Sequence, residues 1–239
     1  MCYFVEINLT RIEMQKRFGA TMPEYFKWEP MPFVSGFAFP EVPVLVNTGA
    51  KAFVPAHWGL IPHWVSSRVK ADEIRAHTLN AMSETVHEKP SFRKAFAQNR
   101  CILPASGYFE WHHRDKEKFP FYISSSEQRV LAMAGIMDVW TDRETGEIIH
   151  SFAVCTTPAN SMMSRIHNSK RRMPAILAAG AEEEWLSSSL SSAMAKELLQ
   201  PFPDDKITAF PIARFNPSTA QGNFSPDMLK PVEYKNLVW

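Results

Sequence analysis

Short segments rich in β-branched and aromatic residues recur along this chain, each bounded by Pro, Gly, Asn or a cluster of charges. That punctuation constrains the fold more than any other feature, because it favours strands over long helices. The clearest segments are 53–58, 101–111, 119–123, 130–137, 148–156, 173–177 and 207–212. Helical periodicity appears between them at 10–18, 91–98, 159–166, 181–186 and 193–199, and the second and the Glu-rich fourth open with cap chemistry. The helices interrupt the strands irregularly, without the strict alternation of a doubly wound sheet. The pattern predicts an α+β fold with a curved, partly barrel-like mixed β-sheet flanked by short helices. The 18 prolines are scattered, and no repeat or Gly/Ser linker divides the 239 residues. One domain over 1–239, with a substantial core, is expected.

Charge excludes little. Lys plus Arg is 26 and Asp plus Glu is 25, so any polyanion site has to be a local patch. The densest basic run, Lys170-Arg171-Arg172, reads either as such a patch or as a solvated loop. Three widely spaced cysteines, without a CxxC pair or Cys/His cluster, point to a reducing cytoplasm and no metal. Cys101 and Cys155 lie in apolar strand patterns and are expected to be buried and inert. His112 and His113 abut a charged run that reads as a solvated hairpin loop, and Met162-Met163 reads as helix packing. There is no Gly-rich phosphate loop, no HExxH, no secretory leader and no apolar run approaching 18 residues. No cofactor and no membrane association are expected.

Cys2 carries the most distinctive chemistry. It follows Met1 and is small enough for the initiator to be removed, which would place an α-amine and a thiol on one residue. An α-amine titrates near pH 8 against about 10.4 for lysine, so it is available as a nucleophile near neutrality. With an aldehyde it forms a Schiff base onto which the thiol closes as a five-membered thiazolidine. The alternative is a small apolar side chain packed in a first strand.

Three further polar residues interrupt apolar patterns. Glu110 lies between Phe109 and Trp111; in an alternating strand it shares a face with Tyr108 and is either a half-buried proton shuttle or an outward-facing carboxylate. His167 ends the amphipathic stretch 159–166, where a helix dipole favours imidazolium and a loop leaves the ring accessible; the alternative is a carbonyl cap. Asn80 is a buried amide orienting a ligand or Cys2, or an ordinary turn residue.

In this order the motifs resemble the SRAP (SOS response-associated peptidase) family, which includes abasic-site-processing proteins. The resemblance rests on Met1-Cys2, Trp58-Gly-Leu-Ile-Pro-His-Trp64, Asn80-Ala-Met-Ser-Glu-Thr85 and Arg100-Cys-Ile-Leu-Pro-Ala-Ser-Gly-Tyr-Phe-Glu-Trp111. It continues through Phe119-Pro-Phe-Tyr122, Ala134-Gly-Ile-Met-Asp-Val-Trp140, Thr156-Thr-Pro-Ala-Asn160, Ile166-His167 and Arg172-Met-Pro-Ala-Ile-Leu177.

The resemblance implies that Cys2 captures the ring-opened aldehyde of an abasic site in single-stranded DNA as a thiazolidine cross-link. It places Asn80, Glu110 and His167 on the remaining active-site positions: Asn80 to position the reactants, Glu110 to shuttle protons, His167 to assist sugar-ring opening. DNA contacts would come from Trp58, Trp64, Lys170, Arg171 and Arg172. A peptidase activity would at most be self-processing, and β-elimination from the Schiff base would be lyase chemistry. The implied location is cytoplasmic, with the nucleoid if the source is bacterial. The competing readings are an N-terminal-nucleophile amidohydrolase and a non-catalytic single-strand-binding module. The chain departs from the family twice, carrying Tyr3-Phe4 where Gly-Arg is common and Met82 where the Asn-Ala-Arg motif has arginine. It also lengthens the link between His167 and Arg172 by residues 168–171 or part of them. Lys170 and Arg171 then offer replacement phosphate contacts, and Tyr3, Phe4 or Trp64 offer base stacking.

Overall fold

The computed structural model describes residues 2–235, 237 and 239. Its strands are β1 (Phe4–Ile7), β2 (Met31–Ser35), β3 (Glu41–Asn47), β4 (Lys51–Trp58), β5 (Asn80–Met82), β6 (Arg100–Ala105), β7 (Gly107–Arg114), β8 (Glu117–Ser125), β9 (Leu131–Thr141), β10 (Ile148–Pro158), β11 (Arg172–Pro174) and β12 (Ile207–Pro211). The helices are α1 (Arg11–Phe18), α2 (Arg68–Arg75), α3 (Arg93–Gln98), α4 (Ser161–Ile166), α5 (Ala181–Trp185), α6 (Ser192–Glu197) and α7 (Pro217–Ala220). The architecture is the expected α+β class.

One sheet closes on itself. Strands β4, β3, β6 and β9 follow one another, and β10 pairs with β9 on one edge and β4 on the other, completing a five-stranded barrel. The β10 strand outlasts both neighbours: beyond Val154 it pairs with β11, and on its other edge with β5. Residues 151–157 are all buried, which is why this strand reads as a near-continuous apolar run rather than an alternating one. Curvature requires close approach at Gly135 of β9, where a Cβ would stand 3.0 Å from Cys101 Sγ and 3.2 Å from the Ala153 carbonyl oxygen.

The second sheet is antiparallel and open, ordered β12-β8-β7-β1-β2. One face joins the barrel in a common core containing Val5, Tyr108, Phe121, Phe53, Ile102 and Phe152. The other face carries Phe33, Phe109 and Tyr122, covered by Ile212, Ala220 and Phe224 of the C-terminal segment. The run 101–111, expected as one strand, is two strands in different sheets. At Ser106 the backbone N–H donates to the Glu6 carbonyl (2.8 Å) and the hydroxyl accepts from Asn8 N–H (3.1 Å), transferring the chain from β6 to β7. Periodicity cannot reveal such a transfer, because both strands are buried throughout this stretch.

Other local expectations also shift. The charged run 114–118 does form an exposed hairpin, but its turn is only Asp115-Lys116, with Asp115 at φ 54°, and His112 and His113 lie within β7. Side-chain caps are absent from α3 and α5, where cap chemistry was expected. They occur instead at α1, where Thr10 and Glu13 form a capping box, and at Ser67, Asn160, Ser191 and Asn216. Helix α2 has no counterpart in the pattern because only Ala71 is buried among its charged residues. Cys101, Cys155 and Met163 are buried.

Gly107 starts β7 with the Tyr122 ring where its Cβ would be, 2.5 Å from Cζ and Oη. The Tyr122 hydroxyl donates a short hydrogen bond to buried Glu6, so the ring cannot swing away without orphaning that carboxylate. Gly107→Ala is therefore expected to destabilise the protein by about 1–3 kcal/mol. An unchanged melting temperature in a thermal scan would count against this packing account.

Candidate active site

The N-terminal residues reach the site through sheet register. Val5 pairs with Tyr108 and Glu6 with Gly107, so β1 runs along β7 and carries residues 2 and 3 toward Glu110. As the alternation predicts, Phe109 and Trp111 pack on the face covered by the C-terminal segment, while Tyr108 joins the main core with Cys2. Glu110 is buried and interacts electrostatically with Cys2, Tyr3 and Tyr108.

Burial sets the protonation states. It raises the Glu110 carboxyl to about 8, so the group holds its proton through neutral pH. Burial, and then the Glu110 charge, holds the Cys2 thiol far above the ordinary thiol range, although the Phe4 backbone N–H donates to the sulfur. The Tyr108 hydroxyl is raised for the same reasons and has no hydrogen-bond partner.

His167 is the residue immediately after α4, as expected, but it is largely buried at the floor of a cleft and is not cationic. Its ring is buried, which lowers its pKa to about 4; the charge of Lys170 acts in the same direction. In a helix of only six residues the dipole does not offset that burial. The neutral ring donates from Nδ1 to the Arg172 carbonyl oxygen (2.9 Å), which leaves Nε2 as the acceptor. The same Nδ1 lies 3.6 Å from Glu110 Oε1. This is beyond hydrogen-bond length, and with both groups neutral at pH 7 the contact is not an ion pair.

The residues that flank His167 are fastened to the strand bearing Glu110. The Asn168 side chain accepts from His113 N–H (3.0 Å) and donates to the His113 carbonyl (2.7 Å). His112 Nδ1 lies 2.7 Å from the Arg165 carbonyl. Two neighbours of Glu110 on β7 are thus bound to the segment bearing His167.

Asn80 sits at the start of β5, and both polar atoms of its amide are buried without a partner. No hydrogen bond joins it to Cys2, Glu110 or His167. Buried, unsatisfied donors and acceptors each cost about 1–3 kcal/mol and are expected where a ligand or water completes them. Tyr108 was missed as a candidate by sequence reasoning, although its alternation with Glu110 was the available signal. A cleft of about 760 Å³ opens over Glu110 and His167, walled by Tyr3, Phe4, Phe37, Trp111 and Phe215. Among the described residues, no group of three His, Cys, Asp or Glu is arranged to hold a metal. No helix there is long and apolar enough to cross a membrane.

The model of the SOS response associated peptidase (SRAP) family matches residues 1–215. This chain belongs to the SRAP family. It is 35% identical over 175 residues to the abasic site processing protein YoqW of Bacillus subtilis, spanning 72% of this chain and 74% of that one. It is 30% identical over 187 residues to the abasic site processing protein HMCES of Xenopus tropicalis, covering 70% of this chain and 54% of that protein. A crystal structure of a protein from Bacteroides thetaiotaomicron superimposes with a TM-score of 0.90 at 37% identity, over 97% of this chain and all of that one.

Within this SRAP framework, two of the expected DNA contacts are corrected. Trp58 is fully buried, donates from Nε1 to the Leu79 carbonyl (2.8 Å) and stacks on Phe152, so its ring is core. Arg172 is buried, makes a two-pronged pair with Glu84 and donates to the Thr156 carbonyl (2.7 Å), tying β11 across β10 to the loop after β5. Trp64 is 49% exposed but lines a separate depression beside α2 with Lys70 and His77. Lys170 and Arg171 are exposed. The expected removal of Met1 falls on a residue outside those described.

The raised Glu110 pKa has a consequence for stability. A carboxyl that titrates higher when folded favours folding at pH values below its unfolded pKa, and that advantage is lost as pH rises through about 8. Glu110→Gln, which cannot ionise, should match the parent near pH 4 and become progressively more stable than it toward pH 8. The difference there is of order a few kcal/mol. Melting temperatures of the two proteins across pH 4–8 read this directly; parallel curves would mean the carboxylate carries no burial penalty.

Proposed function

We propose that this protein captures abasic sites in single-stranded DNA covalently, through Cys2 exposed by removal of Met1. The observation that carries the reading is the register of β1 along β7, which sets a protonated Cys2 thiol near a buried Glu110 carboxyl pushed up to about 8. Family membership and the names of the relatives supply the substrate class.

The reaction starts at the amine. The α-amine adds to the C1′ aldehyde of the opened sugar, forming a carbinolamine. Protonated Glu110 gives its proton to the departing hydroxyl, which leaves as water, and the iminium so formed faces a carboxylate. The sulfur then bonds to the iminium carbon while the thiol proton passes to Glu110. Aldehyde plus aminothiol become thiazolidine plus water, and Glu110 ends as it began. His167, neutral with Nε2 as acceptor, has the form needed to take the C1′ hydroxyl proton as the C1′–O4′ bond breaks and to pass it to O4′. Asn80 supplies an unsatisfied donor and acceptor for positioning. An amidohydrolase would instead need the thiolate to attack first, and burial opposes that step.

Intact mass spectrometry of the protein after incubation with a single strand holding one abasic site tests this. The expected product is protein lacking Met1 plus one oligonucleotide minus one water, absent with an undamaged strand and with Cys2→Ala. Glu110→Gln should slow adduct formation by roughly 10²- to 10⁴-fold. The rate should rise with pH as the amine loses its proton and fall above about 8 as Glu110 ionises, and the falling limb should vanish in Glu110→Gln. A processed protein that leaves an intact abasic strand unmodified would refute the proposal.

A further inference from the structure

We infer that the aromatic cleft beside Glu110 is a stacking subsite for one nucleobase flanking the abasic sugar; this rests on the proposed capture reaction. The cleft is continuous with the reacting groups, since Glu110, His167 and Tyr3 all line it. A strand held with its sugar at Cys2 can lay a neighbouring nucleotide in it.

The walls suit a flat uncharged ring better than a phosphate. Phe4 lines the cleft with Tyr3, Phe37 and Trp111. Its ring is held by Phe33, Phe37 and Trp111 at centroid distances of 5.5, 5.8 and 5.1 Å. Tyr3 packs on Phe37 at 4.7 Å, yet Phe37 remains 54% exposed. Trp111 packs on Phe215 at 5.8 Å, continuing the aromatic wall onto the C-terminal segment. These rings already fix one another, so a base docking among them orders few side chains.

Of the lining cations, Lys118 is exposed and can meet the phosphate attached to such a nucleotide. Arg214 is committed to Glu117 at 2.7 Å and lies over Phe119 at 4.7 Å, leaving it a poor partner for a phosphate. Gln221 accepts from the Ser35 backbone N–H (3.3 Å) through its side-chain oxygen, and its amide N–H groups remain as donors to a base edge. The volume of about 760 Å³ has ample room for a base and its sugar. Stacking on aromatic side chains tolerates every base, so the subsite should demand a base without choosing among them strongly.

The test separates this subsite from cross-linking. Binding of Cys2→Ala protein is measured by fluorescence anisotropy with three abasic single strands: one with bases on both sides, one whose 5′ neighbour is a baseless tetrahydrofuran spacer, and one whose 3′ neighbour is. The spacer keeps the phosphate and has no aldehyde. One of the two spacer strands should bind about tenfold or more weakly. Phe4→Ala and Phe215→Ala in the same background should weaken the fully based strand similarly while adding little loss on the affected spacer strand, as groups acting on one partner do. Folding of each variant is checked by melting temperature, and two variants guard against one failing to fold. Equal affinity for the three strands would overturn the subsite. Absence of an adduct with unmodified Cys2 and a fully based strand would overturn the capture reaction instead.

Discussion

Strand β10 is the constraint on which the rest of the molecule depends. It is paired along both edges and buried on both faces, and by meeting β9 and β4 together it closes the barrel. Past the point of closure its free edges recruit β5 and β11, which begin with Asn80 and Arg172. The Arg172 pair with Glu84 spans these two additions, and the Arg172 carbonyl fixes the hydrogen on His167. The geometry at one end of β10 is thus passed by backbone pairing and one guanidinium to the ring that faces Glu110. A guanidinium serves here because its fixed fork meets a carboxylate and a carbonyl at once. Burying it without such partners would cost more than the connection gains.

The second sheet brings the opposing wall, and the transfer at Ser106 is what brings it there. Once the chain leaves the barrel at that residue, β7 pairs with β1 and the N-terminus is drawn along the strand bearing Glu110. Asn168 and His112 then fasten the His167 segment to β7. Cys2, Glu110 and His167 come from three distant stretches of sequence, yet each is placed by strand register or by hydrogen bonds to backbone atoms. Such anchors depend on the backbone rather than on the side chains that wall the cleft, such as Phe4 and Phe37.

Much of this was legible in the sequence for identifiable reasons. Alternation alone set Glu110 on the face of Tyr108 and opposite Phe109 and Trp111, and the structure has that arrangement. The stretch that forms α1 was visible from its helical periodicity, although the capping box at Thr10 was not read there. The split at Ser106 was not, since β6 and β7 are both buried and a change of sheet leaves no trace in hydropathy. Helix α2 was hidden by its charges. Trp58 and Arg172 were misread for a shared reason: aromatic and cationic residues signal nucleic acid only when exposed, and exposure is a tertiary property. His167 was placed correctly at the end of α4, but its charge state depends on the burial of its ring, which is a tertiary property.

The electrostatic character of the site follows from the same burial. A protonated carboxyl, a protonated thiol and a neutral imidazole present no formal charge to one another at pH 7. An arrangement of this kind is unsuited to chemistry that begins from a thiolate, because creating one there means desolvating an anion beside a carboxyl. It suits chemistry in which charge appears only in matched pairs. When a carbinolamine loses water by taking the Glu110 proton, the iminium cation and the carboxylate anion arise together, and closure of the ring discharges both. The net charge of the buried region never changes, so the low dielectric strengthens the attraction within the transient pair without imposing the cost of an isolated ion. In the proposed reaction, the destabilisation that Glu110 brings to the folded protein above its unfolded pKa is the counterpart of a proton held ready near neutrality.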